Sequence, residues 1–196
     1  MDNFAIVNKL KEELNDGIKK QIDNLTSNIN YYPDYKKSTR GENSKQYDLY
    51  DHRSNLESII DGVAIMVKKL LKDRKIDVSL LYRHVPLDNL KFFNAWSVYG
   101  QKGSYHLLHR HKNHKNNSND PIKATGLSIV IYLAVPEKDV ENPGQFYFIL
   151  HDKNGVIPHQ ITPEKGTIII MPNNLWHGAE PQGEGLRQTL NLEYTW

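Results

Sequence analysis

The sequence predicts a mainly β chain with helices at its N-terminal end, folded as a sandwich or jelly roll. Two observations carry this expectation. From Asp77 onward, short runs rich in β-branched and aromatic residues follow one another, separated by Gly, Pro, Asn and Asp, with no helical segment between them. Before Asp77, apolar residues recur at every third or fourth position instead. Residues 1–76 are therefore read as a helical extension and loop belonging to the same fold, and 77–196 as the β domain.

The first helix rests on Ile6, Leu10, Leu14, Ile18, Ile22, Leu25 and Ile29, one stripe along about six turns. Tyr31-Tyr32-Pro33 ends it, because the residue before a proline avoids the helical region. Residues 31–53 are polar, rich in Lys and Tyr, and read as a long surface loop. A second helix starts at Ser54, where Ser54 and Glu57 form a capping box. Leu56, Ile59, Ile60, Val63, Val67, Leu70 and Leu71 make its buried face. The strands expected are Val78–Val85, Phe92–Tyr99, Gly103–His111, Gly126–Val135, Gln145–Leu150, Gly166–Met171 and Leu186–Tyr194, with an eighth at Leu175–Gly178. The two helices are expected to pack outside one sheet. Asn113–Ile122 is a polar insert directly after His111.

Composition narrows the chemistry. There are no cysteines, so thiolate metal sites, disulfides and a Cys nucleophile are excluded, and a transition metal must be held by imidazole or carboxylate. A net charge of +2 argues neither for nor against a polyanionic partner. Met1 to Leu10 has no apolar core of signal-peptide length, and no run approaches ~18 apolar residues, so a cytoplasmic location with no membrane partner is expected.

Nine histidines are present, and the pair at 109 and 111 stands out. Alternate residues of a strand project to one face, about 6–7 Å apart along the backbone, so two imidazoles so placed can share one metal. His106 faces the opposite way only if the strand is regular. The third ligand must come from elsewhere, and His177, just past the apolar strand Thr167–Met171, is the best placed. Three protein ligands leave open positions, the pattern of a catalytic site. The plainer reading of His106, His109, His111 and His114 is a basic patch beside a polar loop.

Arg187 and Thr189 open the last strand and share a face, a guanidinium beside a hydroxyl suited to a carboxylate. A solvent-facing strand arginine is the alternative.

These pieces, in order, resemble the iron(II)/2-oxoglutarate-dependent oxygenases. The resemblance covers Ala95 to Tyr194: Trp96, Gly103-x-Tyr105, His109-x-His111, Ser128 to Leu133, Pro143-Gly144-Gln145-Phe146, Gly166 to Pro172, Trp176-His177 and Arg187-x-Thr189-x-Asn191. It is closest to a subgroup with a Gly-x-Tyr…His-x-His signature. It implies a double-stranded β-helix, cupin-like, in which His109, His111 and His177 hold Fe(II). It also implies that Arg187 and Thr189 bind the distal carboxylate of 2-oxoglutarate, Tyr132 adding a phenol or serving as core. O₂ would be the co-substrate, and 2-oxoglutarate would be converted to succinate and CO₂ as a substrate is hydroxylated. One departure stands: most such sites use two histidines and one carboxylate, and here position 111 is His. Asp120 and Asp152 are candidate substitutes.

Two competitors remain at this stage: a three-histidine zinc hydrolase or lyase, and a non-catalytic jelly-roll binding module. The substrate is open between peptide, metabolite and nucleic acid. The loops 31–53 and 112–125, with Lys36, Lys37, Arg40, Lys112 and Lys115, are expected to flank the mouth. The helix pair can brace the sheet or form a homodimer face. Trp96 and Trp176 serve as wall or core.

Overall fold

The computed structural model of the chain describes residues 5–29, 43–73, 87–111, 124–136, 144–152 and 155–196. The expected strand Val78–Val85, the insert Asn113–Ile122 and Asp120, most of loop 31–53 with its basic residues, and the side chain of Asp152 lie outside the described residues.

Among the described residues, ten strands and two helices form a double-stranded β-helix. In chain order they are β1 (Ile6–Lys9), α1 (Glu12–Thr26), β2 (Ser44–Asp48), a 3-10 turn (Tyr50–Leu56), α2 (Glu57–Asp73), β3 (Lys91–Gly100), β4 (His106–His109), β5 (Gly126–Ala134), β6 (Phe146–Asp152), β7 (Gly155–Ile161), β8 (Thr167–Pro172), β9 (Trp176–Ala179) and β10 (Arg187–Thr195). Six strands make one sheet in the order β1-β8-β5-β10-β3-β2, and four make the other in the order β4-β9-β6-β7.

Strands β5, β8 and β10 are almost wholly buried because the larger sheet is covered on both faces. Period-two alternation sorts their side chains into two cores. Ile129, Ile131, Leu133, Ile168, Ile170, Leu190, Leu192 and Tyr194 join the helix side with Ile18, Ile22, Ile60, Val63 and Val67. Val130, Tyr132, Ile169 and Met171 face the smaller sheet and meet Phe146, Phe148 and Leu175. The helix pair thus braces the sheet with its apolar faces.

Four elements depart from expectation. The stripe that begins at Ile6 is not one helix: Ile6–Lys9 pairs with β8, Ile6 opposite Ile170, and only from Glu12 is the chain helical. Pairing with the isoleucine-rich β8 outweighs local propensity, and α1 stops at Thr26, short of Ile29. Ser54 is not a helix cap, because it sits inside the 3-10 turn that leads into α2. Strands β2 and β7 were hidden in the sequence because both are edge strands with exposed faces. Pro158 lies within β7, and an edge is where a strand tolerates proline.

A polar cluster fastens α1 to β10 and β3. Asp23 Oδ1 accepts hydrogen bonds from Tyr99 Oη (2.8 Å) and from the fully buried Gln188 Nε2 (2.9 Å). Burial pushes the Asp23 carboxyl up, but the donors of Lys19, Tyr99 and Gln188 outweigh it and hold its pKa below the usual value. Asp23→Ala strands a buried donor and is expected to lower stability by about 1–3 kcal/mol, read from urea denaturation. The folded chain holds this carboxyl more acidic than the unfolded chain does. Its contribution is therefore full above the ordinary carboxylate value and fades as pH falls through the folded one. Asp23→Asn should flatten that acid limb of the stability profile.

Candidate metal centre

Strands β4 and β9 bring the histidines together. His109 lies directly opposite His177 in their antiparallel pairing. Phe148 of β6 flanks His177 on the other side in register, and Phe146 stacks on its ring at 5.6 Å. β4 ends at His109, and His111 follows in the connecting segment, held by its backbone N–H on the Asn173 carbonyl at 2.9 Å. The rings of His109 and His177 are 4.4 Å apart, those of His111 and His177 4.9 Å, and those of His109 and His111 5.1 Å. One nitrogen from each of the three lies within 4.8 Å of the others.

Second contacts fix which nitrogens converge. His109 Nδ1 is 2.8 Å from the Leu107 carbonyl oxygen, and His177 Nδ1 is 2.8 Å from that of Leu175. His111 Nδ1 is 2.9 Å from Ser128 Oγ and 2.7 Å from Glu193 Oε1. A carbonyl only accepts, so Nδ1 of His109 and of His177 carries the proton; Ser128 Oγ donates its own hydrogen toward Glu193 and so accepts from His111 Nδ1, leaving each Nε2 with a bare lone pair. Two such lone pairs, His109 Nε2 and His111 Nε2, stand 3.1 Å apart. Facing lone pairs repel unless a cation lies between them. Nitrogens bound to one ion at about 2.0–2.1 Å, at tetrahedral or octahedral angles, stand roughly 2.9–3.4 Å from each other, so the donor set fits a divalent transition metal.

His106 is not turned away. The ladder between His106 and His109 is irregular, and both rings line one cavity, 5.3 Å apart. Gly178 permits the close approach here: a Cβ there would meet the Tyr147 hydroxyl at 2.5 Å and the His106 carbonyl oxygen at 2.7 Å.

Arg187, Thr189 and Tyr132 line the same cavity as the three histidines, with Trp96 and Asn191. Its free space is small, about 40 Å³, room for a water or two. Arg187 is 6% exposed. Its Nη1 donates to the carbonyls of Gly144 (3.2 Å) and Glu180 (3.4 Å), and its Nη2 donates to the Ser104 carbonyl (3.3 Å) and Oγ (3.5 Å). All four acceptors are neutral, and among the described residues no carboxylate pairs with this guanidinium. Burial pulls its pKa below the usual value, with Tyr132 opposing. Gly144 makes room for it: φ is +69°, and a Cβ would meet Nη1 at 2.3 Å. Thr189 Oγ1 accepts from Asn191 Nδ2 at 3.1 Å and is not hydrogen-bonded to Arg187. The Tyr132 hydroxyl meets no hydrogen-bonding partner among the described residues, and burial pushes its pKa up to about 12. Trp176, next to His177 in β9, is not among the residues lining this cavity; the Arg110 guanidinium lies 5.3 Å from its ring centroid.

Glu193 and Ser128 were missed in the sequence. For Glu193 a signal exists: it continues the alternation Arg187, Thr189, Asn191 along one strand.

No sequence family and no curated protein matches this chain. Solved structures do. A Pseudomonas putida prolyl-4-hydroxylase is similar with a TM-score of 0.67 at 15% identity, covering 98% of this chain and 92% of its own. A viral collagen prolyl hydroxylase from Paramecium bursaria Chlorella virus-1, in complex with 2-oxoglutarate, gives 0.61 at 15% identity, covering 98% and 97%. HygX of Streptomyces hygroscopicus, with nickel and 2-oxoglutarate bound, gives 0.64 at 12% identity, covering 98% and 82%. At these identities the likeness establishes a shared fold, that of 2-oxoglutarate-Fe(II) oxygenases. Among the described residues no helix is long and apolar enough to cross a membrane.

Burial first, and then the facing His109 and His111, lower the pKa of His177 well below its usual 6.5. The unfolded chain therefore takes up a proton that the folded chain refuses. Metal-free stability should be full above the ordinary histidine value and fall as pH drops below it. His177→Phe should remove that part of the loss, measured by denaturant midpoints from neutral to mildly acid pH.

Proposed function

We propose that this protein is an Fe(II)- and 2-oxoglutarate-dependent oxygenase that hydroxylates an organic substrate. One observation carries the reading: three Nε2 lone pairs converge in the same cavity as a buried guanidinium that meets only neutral oxygens. His109, His111 and His177 would hold the ion, and three protein ligands leave positions open for exchangeable ones. Arg187 would take the distal carboxylate of 2-oxoglutarate, which supplies the opposite charge its burial calls for. The Tyr132 hydroxyl would donate to the same carboxylate, and Thr189 would line its path. When bound, iron with 2-oxoglutarate and O₂ supplies the oxidising chemistry, 2-oxoglutarate leaving as succinate and CO₂. The chain's own part is to orient the three imidazoles, hold the dicarboxylate, and exclude water with Phe146, Val130 and Trp96.

A zinc hydrolytic site would use the same three imidazoles but has no use for a buried cation beside them. Arg187 therefore favours the oxygenase reading.

Anaerobic titration of the Fe(II)-loaded protein with 2-oxoglutarate should produce a weak visible charge-transfer band, and air should then yield succinate without added substrate. His177→Ala should abolish the band. Arg187→Ala should raise the half-saturating 2-oxoglutarate concentration roughly 10- to 100-fold, the worth of a charge-assisted hydrogen bond at about 1.5–3 kcal/mol. A band that fails to form in the iron-loaded wild type overturns the assignment.

A further inference from the structure

We propose that Glu193 supplies, through His111, the negative charge that this three-histidine centre lacks among its direct ligands. The proposal rests on the metal-site reading above and goes beyond it by naming a positioning residue behind the ligand set.

Glu193 lies on the inward face of β10, opposite Ser128 of β5 and Asn94 of β3 in register. It is 8% exposed, and Ser128 is 2% exposed. A carboxylate so buried is costly unless donors or a positive charge face it. The described residues offer it two partners: His111 Nδ1 at 2.7 Å and Ser128 Oγ at 3.5 Å. No lysine or arginine among them reaches it. The 2.7 Å contact with His111 is a close ion-pair approach; the ring nitrogen is also hydrogen-bonded to Ser128 Oγ at 2.9 Å, which donates on to Glu193 at 3.5 Å.

The carboxylate sits on the far side of the ring from Nε2, so it can fix the ring without occupying a metal position. An acceptor at Nδ1 locks the proton there, aims Nε2 at the ion and raises its basicity. The charge count follows. A divalent ion with two neutral imidazoles and one bound carboxylate carries a net single positive charge. With three neutral imidazoles it carries two, and Glu193 one ring away restores the sum to one. The departure from the usual ligand set at position 111 is thus matched by a carboxylate immediately behind it. The Trp96 ring, edge-to-face with His111 at 5.4 Å, closes the ring's remaining side.

The test is Co(II) affinity of the full chain, measured by competition with a fluorescent chelator and by the cobalt d–d spectrum. Glu193→Gln, which keeps shape and removes charge, is expected to weaken binding roughly 10- to 100-fold, the usual cost of losing an outer partner of a ligating histidine. Glu193→Asp should restore part of it. His111→Asp moves a carboxylate into direct contact, and in that background Glu193→Gln should cost nothing. A merely structural role would weaken both backgrounds alike and overturn the proposal. Unchanged affinity in Glu193→Gln, with the wild type binding, overturns it while leaving the metal site standing. Absence of cobalt binding by the wild type overturns both. Cobalt retained by His111→Ala but lost by Glu193→Gln would make Glu193 a direct ligand, and the relay would fall. Metal-free denaturation midpoints establish that each variant is folded.

Discussion

The alternation of side chains on a strand buried on both faces is the constraint that organises this molecule. Strand β10 lies between β5 and β3 in the middle of the larger sheet. Its even-numbered residues, Gln188, Leu190, Leu192 and Tyr194, go to the helices. Its odd-numbered ones, Arg187, Thr189, Asn191 and Glu193, go to the space between the sheets. A slip of one residue would exchange the two sets, placing a guanidinium and a carboxylate against isoleucines. The apolar contacts of the helix side therefore fix the register that aims the polar residues of the other.

A second constraint is the pairing of His109 with His177 across β4 and β9. Both strands are only four residues long. Their placement depends on neighbours: Phe148 opposite His177, Asn173 gripping the His111 amide, and Gly178 letting Tyr147 and the β4 backbone close in. Each imidazole is held at Nδ1 by a group outside the cavity, so ring orientation is settled before any ligand arrives.

Much of this was legible in the sequence, for identifiable reasons. The core strands β3, β5, β8 and β10 are long, apolar and bounded by turn residues, and their order with the His-x-His pair carried the fold and the convergence of three imidazoles. What escaped depends on tertiary pairing. Ile6 reads equally well as the start of a helical stripe, and only its partner Ile170 makes it a strand. The polar run Ser44–Asp48 carries no apolar signature because one of its edges is open. Glu193 sits two residues beyond Asn191 on an anticipated face, but its meaning comes from His111, 82 residues earlier in the chain. The irregular ladder after His106, which turns that ring toward His109, has no local sequence mark.

Strand β7 has a consequence of another kind. It borders the smaller sheet with Val156 and Ile157 exposed, a stretch on which a second polypeptide would find apolar side chains and free main-chain groups. Pro158 follows at once, and the ladder to β6 runs unbroken through it, with Ile149 opposite. Its nitrogen has no hydrogen to offer an incoming strand, and its ring stands in the way of one. A proline at this position therefore limits how far another strand could extend the sheet at this border.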